Sequence, residues 1–282
     1  MATEDRAELL AALEWQFEMG VDEAIGEKPV DRTRLAPEPR RSQHVQVAPK
    51  RASAQAEPLP LMPTRSTSPV PVSAGNISRG ENEPARAIAK AMAERCDDLE
   101  ALRAAMDAFE FCDLKKGARN FVFSDGNPDA RLMIVGEAPG REEDQKGFPF
   151  VGRAGRLLDR MFESIGLARS SPNPGSAIYI TNVIPWRPPN NRDPTAEEVR
   201  MLMPFVERHV ELADPEVIVL MGNTACGAIL GRKGITRLRG HWTEALGKPV
   251  MPMFHPAALL RDGLKKRESW SDLLAIGERL SA

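Results

Sequence analysis

Four short runs of almost wholly apolar residues constrain this chain more than any other feature: Arg131-Leu-Met-Ile-Val135, Ile178-Tyr-Ile-Thr-Asn182, Val217-Ile-Val-Leu-Met221 and Val250-Met-Pro-Met-Phe254. Each has the length of one strand, and none alternates polar with apolar, so each must be covered on both faces. Around them the apolar residues recur at helical spacing, near 153–165, 195–212, 223–230 and 269–281. Such strands separated by helices predict an α/β fold: a three-layer α/β/α sandwich around a four-stranded, mainly parallel sheet. Pro252 has no amide hydrogen to give a neighbour, which weakens the fourth strand or places it at an edge.

Chemically unusual residues follow each run at once. The first leads into Gly136-Glu-Ala-Pro-Gly140 and Arg141-Glu-Glu-Asp144; the second ends in Asn182, ahead of Trp186-Arg-Pro-Pro-Asn-Asn-Arg192. The third ends in Gly222-Asn-Thr224 and the fourth in His255-Pro256. In open parallel sheets, ligands bind beyond the carboxyl ends of the strands. One mouth therefore collects two glycine-rich turns, an amide, an imidazole and several carboxylates. Taken singly, each has a plainer reading: a strand-to-helix turn, a turn-forming Asn182, a buried His255, a hydrophobic loop plug at Gly147-Phe-Pro-Phe-Val-Gly152. The glycine turn is not a phosphate loop, because the Walker lysine and hydroxyl are missing.

The rest of the chain differs. Residues 6–26 place Leu9, Leu10, Leu13, Phe17 and Met19 roughly on one side of a short amphipathic helix, read either as a frayed tail or as a partner-docking segment. Residues 27–84 are rich in Pro, Ala, Ser, Arg and Gln without apolar periodicity, the composition of a disordered linker. The predicted organisation is thus a helix over 1–26, a linker over 27–84 and a folded domain over 85–282, with residues 85–110 a helix entering that domain. From Cys112 onward basic residues outnumber acidic ones 24 to 21, whereas the first 111 residues carry 14 against 19. A mildly basic domain behind an acidic arm is compatible with DNA but does not indicate it. No run approaches the roughly 18 to 20 apolar residues of a membrane span. The acidic start lacks signal-peptide order, and three scattered cysteines make no disulfide framework, so a cytoplasmic monomer is expected.

Taken together, the motifs resemble those of family 4 uracil-DNA glycosylases. The first is Gly136-Glu-Ala-Pro-Gly140, Glu143-Asp144 and Gly147-Phe-Pro-Phe-Val-Gly-Arg-Ala-Gly155, with Leu157-Leu158. The next is Tyr179-Ile-Thr-Asn-Val183, Arg187-Pro-Pro189, Asn191-Arg192 and Pro194; the last is Arg239-Gly240 with His255-Pro-Ala-Ala-Leu-Leu-Arg261. The similarity runs in order from about 109 to 280 and leaves the first 85 residues uncovered.

The resemblance implies uracil-containing DNA as substrate and rotation of the target base into a pocket. Phe150 would stack on the base, beside Gly136 and Ala138. The Asn182 amide would match uracil O4 and N3–H, a pattern that cytosine reverses, and His255 would donate to O2 as charge grows there. Ala138 stands where another glycosylase family has its aspartate, so the water-orienting carboxylate falls to Glu137 or Glu143, with Glu143 favoured; a plain helix-start acid is the other reading of Glu143. Leu259 or Leu260 would wedge the duplex, unless both are core. Lys146, Arg153, Arg187, Arg192 and Arg261 would meet phosphates, although any of them could be a solvated charge. The loop Pro188–Pro194 lacks the histidine with which a relative of this family traps the excised sugar, so hydrolytic turnover is expected.

One part of the family pattern is broken. Its members usually carry a four-iron, four-sulfur cluster on four cysteines, and the corresponding positions here are Phe109, Cys112, Trp186 and Leu202. One thiolate cannot hold such a cluster, so no cofactor is expected. All three replacements are large and apolar, which predicts that they pack together near Cys112 and fill the cluster's volume. Two other functions remain open: a catalytically weak uracil- or damage-binding adaptor whose acidic arm recruits a protein partner, and a metal-dependent nucleotide hydrolase using the acidic loop.

Overall fold

The computed structural model describes residues 83–281. The expected N-terminal helix and nearly all of the linker lie outside the described residues. The stretch anticipated as one entry helix is two, α1 (Glu83–Ala93) and α2 (Leu99–Ala108). The break is encoded by Asp98, whose carboxylate accepts the Ala101 N–H at 2.7 Å and starts a new helix instead of continuing the old one. α1 also begins two residues before the expected domain boundary, at Glu83.

A short α3 (Leu114–Gly117) precedes the sheet, which has six strands: β1 (Ser124–Gly126), β2 (Leu132–Gly136), β3 (Ile178–Asn182), β4 (Val217–Met221), β5 (Thr243–Ala245) and β6 (Lys248–Met253). Their order is β1-β3-β2-β4-β6-β5. The interior four are mutually parallel, as the apolar runs predict, while β1 and β5 flank them antiparallel. The expected four-stranded sheet therefore gains an edge strand on each side. These two went unread because Ser-Asp-Gly and Thr-Glu-Ala are short, half-buried and contain no apolar run.

Pro252 falls on β6, which has a neighbour on each side. It pairs in register with Leu220 of β4, while β5 reaches only as far as Val250. On that side Pro252 faces no strand, and its carbonyl accepts the Gly240 N–H. The proline sits at a local edge of an otherwise interior strand.

Successive strand residues feed opposite cores, the period-2 rule that makes three layers. Met133, Val135, Ile218 and Leu220 join one cluster with α1, α2, α6 (Ala196–Ala213) and α7 (Gly222–Ile229). Leu132, Ile134, Val217 and Val219 join the other with α5 (Arg153–Glu163), α9 (Pro256–Arg261) and α10 (Lys266–Ser281). Two short helices, α4 (Arg141–Lys146) and α8 (Ile235–Leu238), complete the fold beyond the strands' carboxyl ends. Among the described residues no helix is long and apolar enough to cross a membrane.

Candidate active site

A cleft of about 550 Å³ opens at the carboxyl ends of the parallel strands. Glu137, Ala138 and Glu143 from the segment after β2, Phe150 from the loop before α5, Asn182 from the end of β3 and His255 from the turn after β6 all line it. The chain segments that the motifs singled out thus meet at one place.

Glycines make that meeting possible. A Cβ on Gly136 would lie 2.3 Å from Asn182 Oδ1 and 2.6 Å from the Phe150 ring, so the amide and the ring fit only because position 136 carries no side chain. Gly222 has φ +92°, a conformation that favours glycine, and a Cβ there would come within 3.2 Å of the His255 side chain. Gly136 accordingly backs the cleft rather than lining it.

Phe150 is buried, and its ring lies beside the His255 imidazole, centroid to centroid at 5.4 Å and 29° between planes. Its φ of +52° is uncommon for a bulky residue, and such strain persists only where the surroundings enforce it. Asn182 is buried too, and its side-chain amide takes part in none of the hydrogen bonds found among the described residues.

His255 has a defined protonation state. Its Nδ1 accepts the Ala257 N–H at 3.1 Å, which leaves the ring proton of the neutral form on Nε2 as a donor. Burial, assisted by the positive charge of Arg261, pushes its pKa down to about 4.

The two carboxylates differ in employment. Glu143 Oε2 accepts the Gly140 N–H at 3.1 Å, and its Oε1 accepts those of Val151 and Gly152, both at 3.0 Å. Both oxygens fasten the loop, an employment the sequence did not suggest for the residue favoured there as water-orienting, and Glu143 still lines the cleft. Burial instead raises the Glu137 carboxyl above its ordinary range, opposed by a hydrogen bond from Thr224. Thr224, singled out with Gly222-Asn223 after the third strand but given no role there, also lines the cleft.

The expected DNA contacts divide. Leu259 is 1% exposed and packs in the α5–α10 core, so it is not a wedge; Leu260, 43% exposed, is free to be one. The helical turn of α9 separates them, turning one residue inward and the next outward. Arg187 is tied to Asn191 Oδ1 at 2.7 Å, and Arg192, on the cleft wall, forks onto Glu198 at 2.6 and 2.9 Å. Lys146 lies 3.9 Å from Glu142. Arg153 and Arg261 are exposed, the latter on the cleft rim.

Phe109, Cys112, Trp186 and Leu202 are all buried within one apolar cluster. Phe109 meets Phe205 edge-on at 5.4 Å, and Trp186 lies 5.7 Å from Phe121. Burial pushes the Cys112 thiol up to about 11, keeping it protonated where a cluster ligand must be thiolate. One thiol and three side chains without a thiolate (Phe109, Trp186 and Leu202) do not fit an iron–sulfur cluster.

Comparison with known proteins gives the family. Residues 123–274 match the model of the uracil DNA glycosylase superfamily, and the chain belongs to that family. It is 45% identical to the type-4 uracil-DNA glycosylase of Archaeoglobus fulgidus over 176 residues, 59% of this chain and 85% of the relative. With the type-4 enzyme of Thermotoga maritima it shares 44% over 154 residues, 54% of this chain and 77% of the relative. The type-5 uracil-DNA glycosylase of Thermus thermophilus is more distant, at 28% over 172 residues, 55% of this chain and 78% of the relative.

Proposed function

We propose that this protein is a monofunctional uracil-DNA glycosylase, which hydrolyses the N-glycosidic bond of a flipped-out deoxyuridine and leaves an abasic site for base excision repair. The observation that carries the reading is the convergence of Phe150, Asn182 and His255 on one cleft, with His255 fixed as a neutral Nε2–H donor.

In this mechanism Phe150 stacks on the extruded base, and the Asn182 amide accepts from N3–H and donates to O4. As the bond from C1′ to N1 breaks, its electron pair leaves with uracil and the sugar becomes oxocarbenium-like. His255 donates to O2, where the departing anion concentrates charge; a donor already in place stabilises that charge without reorganisation. Glu137 orients the water whose oxygen adds to C1′, and accepts the proton it sheds. Burial raises its pKa, which suits a base, and Glu143 already accepts from three backbone amides. Leu260 takes the wedge role at the duplex, with Arg153 and Arg261 toward the phosphates.

The protein does this without an iron–sulfur cluster, the plug of Phe109, Trp186, Leu202 and Cys112 holding the same segments by packing. It works as a cytoplasmic monomer, with the acidic N-terminal arm left for a protein partner.

Incubation with a uracil-containing oligonucleotide, then alkali, tests the reading. Strand scission at the uracil, insensitive to EDTA, is expected. Binding without abasic product would instead identify an adaptor, and loss of activity in EDTA a metal-dependent hydrolase.

A further inference from the structure

Arg169 lies outside the cleft, yet its guanidinium holds the segment that delivers the stacking ring. Nη1 donates to the Pro149 carbonyl at 3.0 Å and Nη2 to the Phe150 carbonyl at 2.9 Å. The same group is anchored by Asp159, 2.8 Å from Nε, and by Asp125 of β1, 2.7 Å from Nη1. Its side chain is 16% exposed, so these contacts are shielded more than surface pairs are.

What it holds is the unusual part of the site. Phe150 carries the positive φ, and its ring is wedged between Gly136 and His255. Its carbonyl is hemmed in from the other side, since a Cβ on Gly155 would fall 1.7 Å from that oxygen. A left-handed bulky residue relaxes unless its neighbours over-determine it. The planar fork of an arginine can take two carbonyls and two carboxylates at once; a lysine ammonium cannot reproduce that geometry.

We infer that Arg169 is a positioning residue for uracil recognition, fixing the Phe150 ring through the backbone without touching the base. This rests on the glycosylase reading above and adds to it a residue remote from the cleft.

The test uses the full chain and the variants Arg169→Lys, Arg169→Ala, Phe150→Ala and Arg169→Lys/Phe150→Ala. The readouts are kcat and KM on a uracil oligonucleotide, inhibition by free uracil, and melting temperature. Arg169→Lys should weaken inhibition by free uracil about tenfold and lower kcat/KM by a similar factor. In the Phe150→Ala background the same substitution should change neither, because a residue acting through the ring has nothing left to act on. Millimolar guanidinium should restore part of the kcat/KM lost in Arg169→Ala.

A merely structural Arg169 would lower the melting temperature while leaving uracil inhibition and KM of the folded enzyme unchanged, or would add its effect undiminished to that of Phe150→Ala. Either result overturns the inference. Should Arg169→Ala fail to fold, the lysine variant and its double mutant decide. An inactive wild-type chain would count against the glycosylase reading instead, which keeps the two failures apart.

Discussion

The cleft and the plug beside the entry helices are built from the same chain segments on opposite terms. At the cleft, polar groups face the open space: the buried Asn182 amide, the half-buried His255 with its Nε2–H, and the half-buried Glu137 carboxyl, which Thr224 also meets. At the plug, three of the four positions that the family gives to metal ligands carry large, mainly apolar side chains, and the fourth is a thiol kept neutral by burial. Trp186 belongs to the plug and Arg187 to the loop beside the cleft, so a single residue step crosses from one to the other. The contrast predicts that recognition at the cleft and anchoring of the loops around it are separable tasks. The first depends on particular atoms, whereas the second depends on volume and burial.

That separation can be broken by mutation. Asn182→Ala should lower kcat/KM for uracil excision by roughly 10³-fold or more, about 4 kcal/mol, because a buried base edge loses its partner; melting should be unchanged. Trp186→Ala should do the opposite. Emptying the plug should cost about 3–5 kcal/mol of stability in denaturant titrations and leave the activity of each folded molecule little altered. If its activity falls in step with that of Asn182→Ala, plug and cleft are one unit.

Glu137→Gln and Glu143→Gln sharpen the comparison within the cleft. The first should lose about 10²-fold in kcat, the scale of a lost general base, at unchanged melting temperature. The second should mainly lower the melting temperature, since its carboxylate fastens backbone.

Acid should weaken the fold. Unfolding frees His255 of the cleft, and His209, buried on α6 with Nε2 2.8 Å from the Tyr179 hydroxyl, to titrate near 6.5, whereas burial holds them to about 4 and about 3 in the fold. The unfolded chain therefore binds more protons across that interval, and stability should decline as pH falls from about 6.5. Melting curves between pH 7 and pH 4 would show it, and a flat profile would refute the buried, neutral assignment. Removing residues 1–80 should have the smallest effect, leaving excision from short oligonucleotides nearly intact.

The parallel strands were legible because four apolar runs in a chain of this length have few other uses, and their bounds shifted by at most two residues in the fold. The edge strands were not, because Ser124–Gly126 and Thr243–Ala245 are specified by pairing rather than by composition. At the site, residue types told which side chains to examine but not which atoms were free. Glu137 and Glu143 are both plausible in sequence, which favours Glu143, and only their surroundings turn the choice toward Glu137. Leu259 and Leu260 are likewise adjacent and identical, and the pitch of α9 alone decides which one meets solvent. Arg169 gave no signal, because a backbone carbonyl as partner leaves no trace in the sequence.

Glu143 binds the amides at both ends of the stretch from Gly140 to Gly152, which turns an excursion of the chain into a closed loop with a single clasp. A closed loop has little conformational freedom left to surrender. Arrival of the base then demands no folding of the wall that receives it, and more of the contact energy is left over for discriminating between bases.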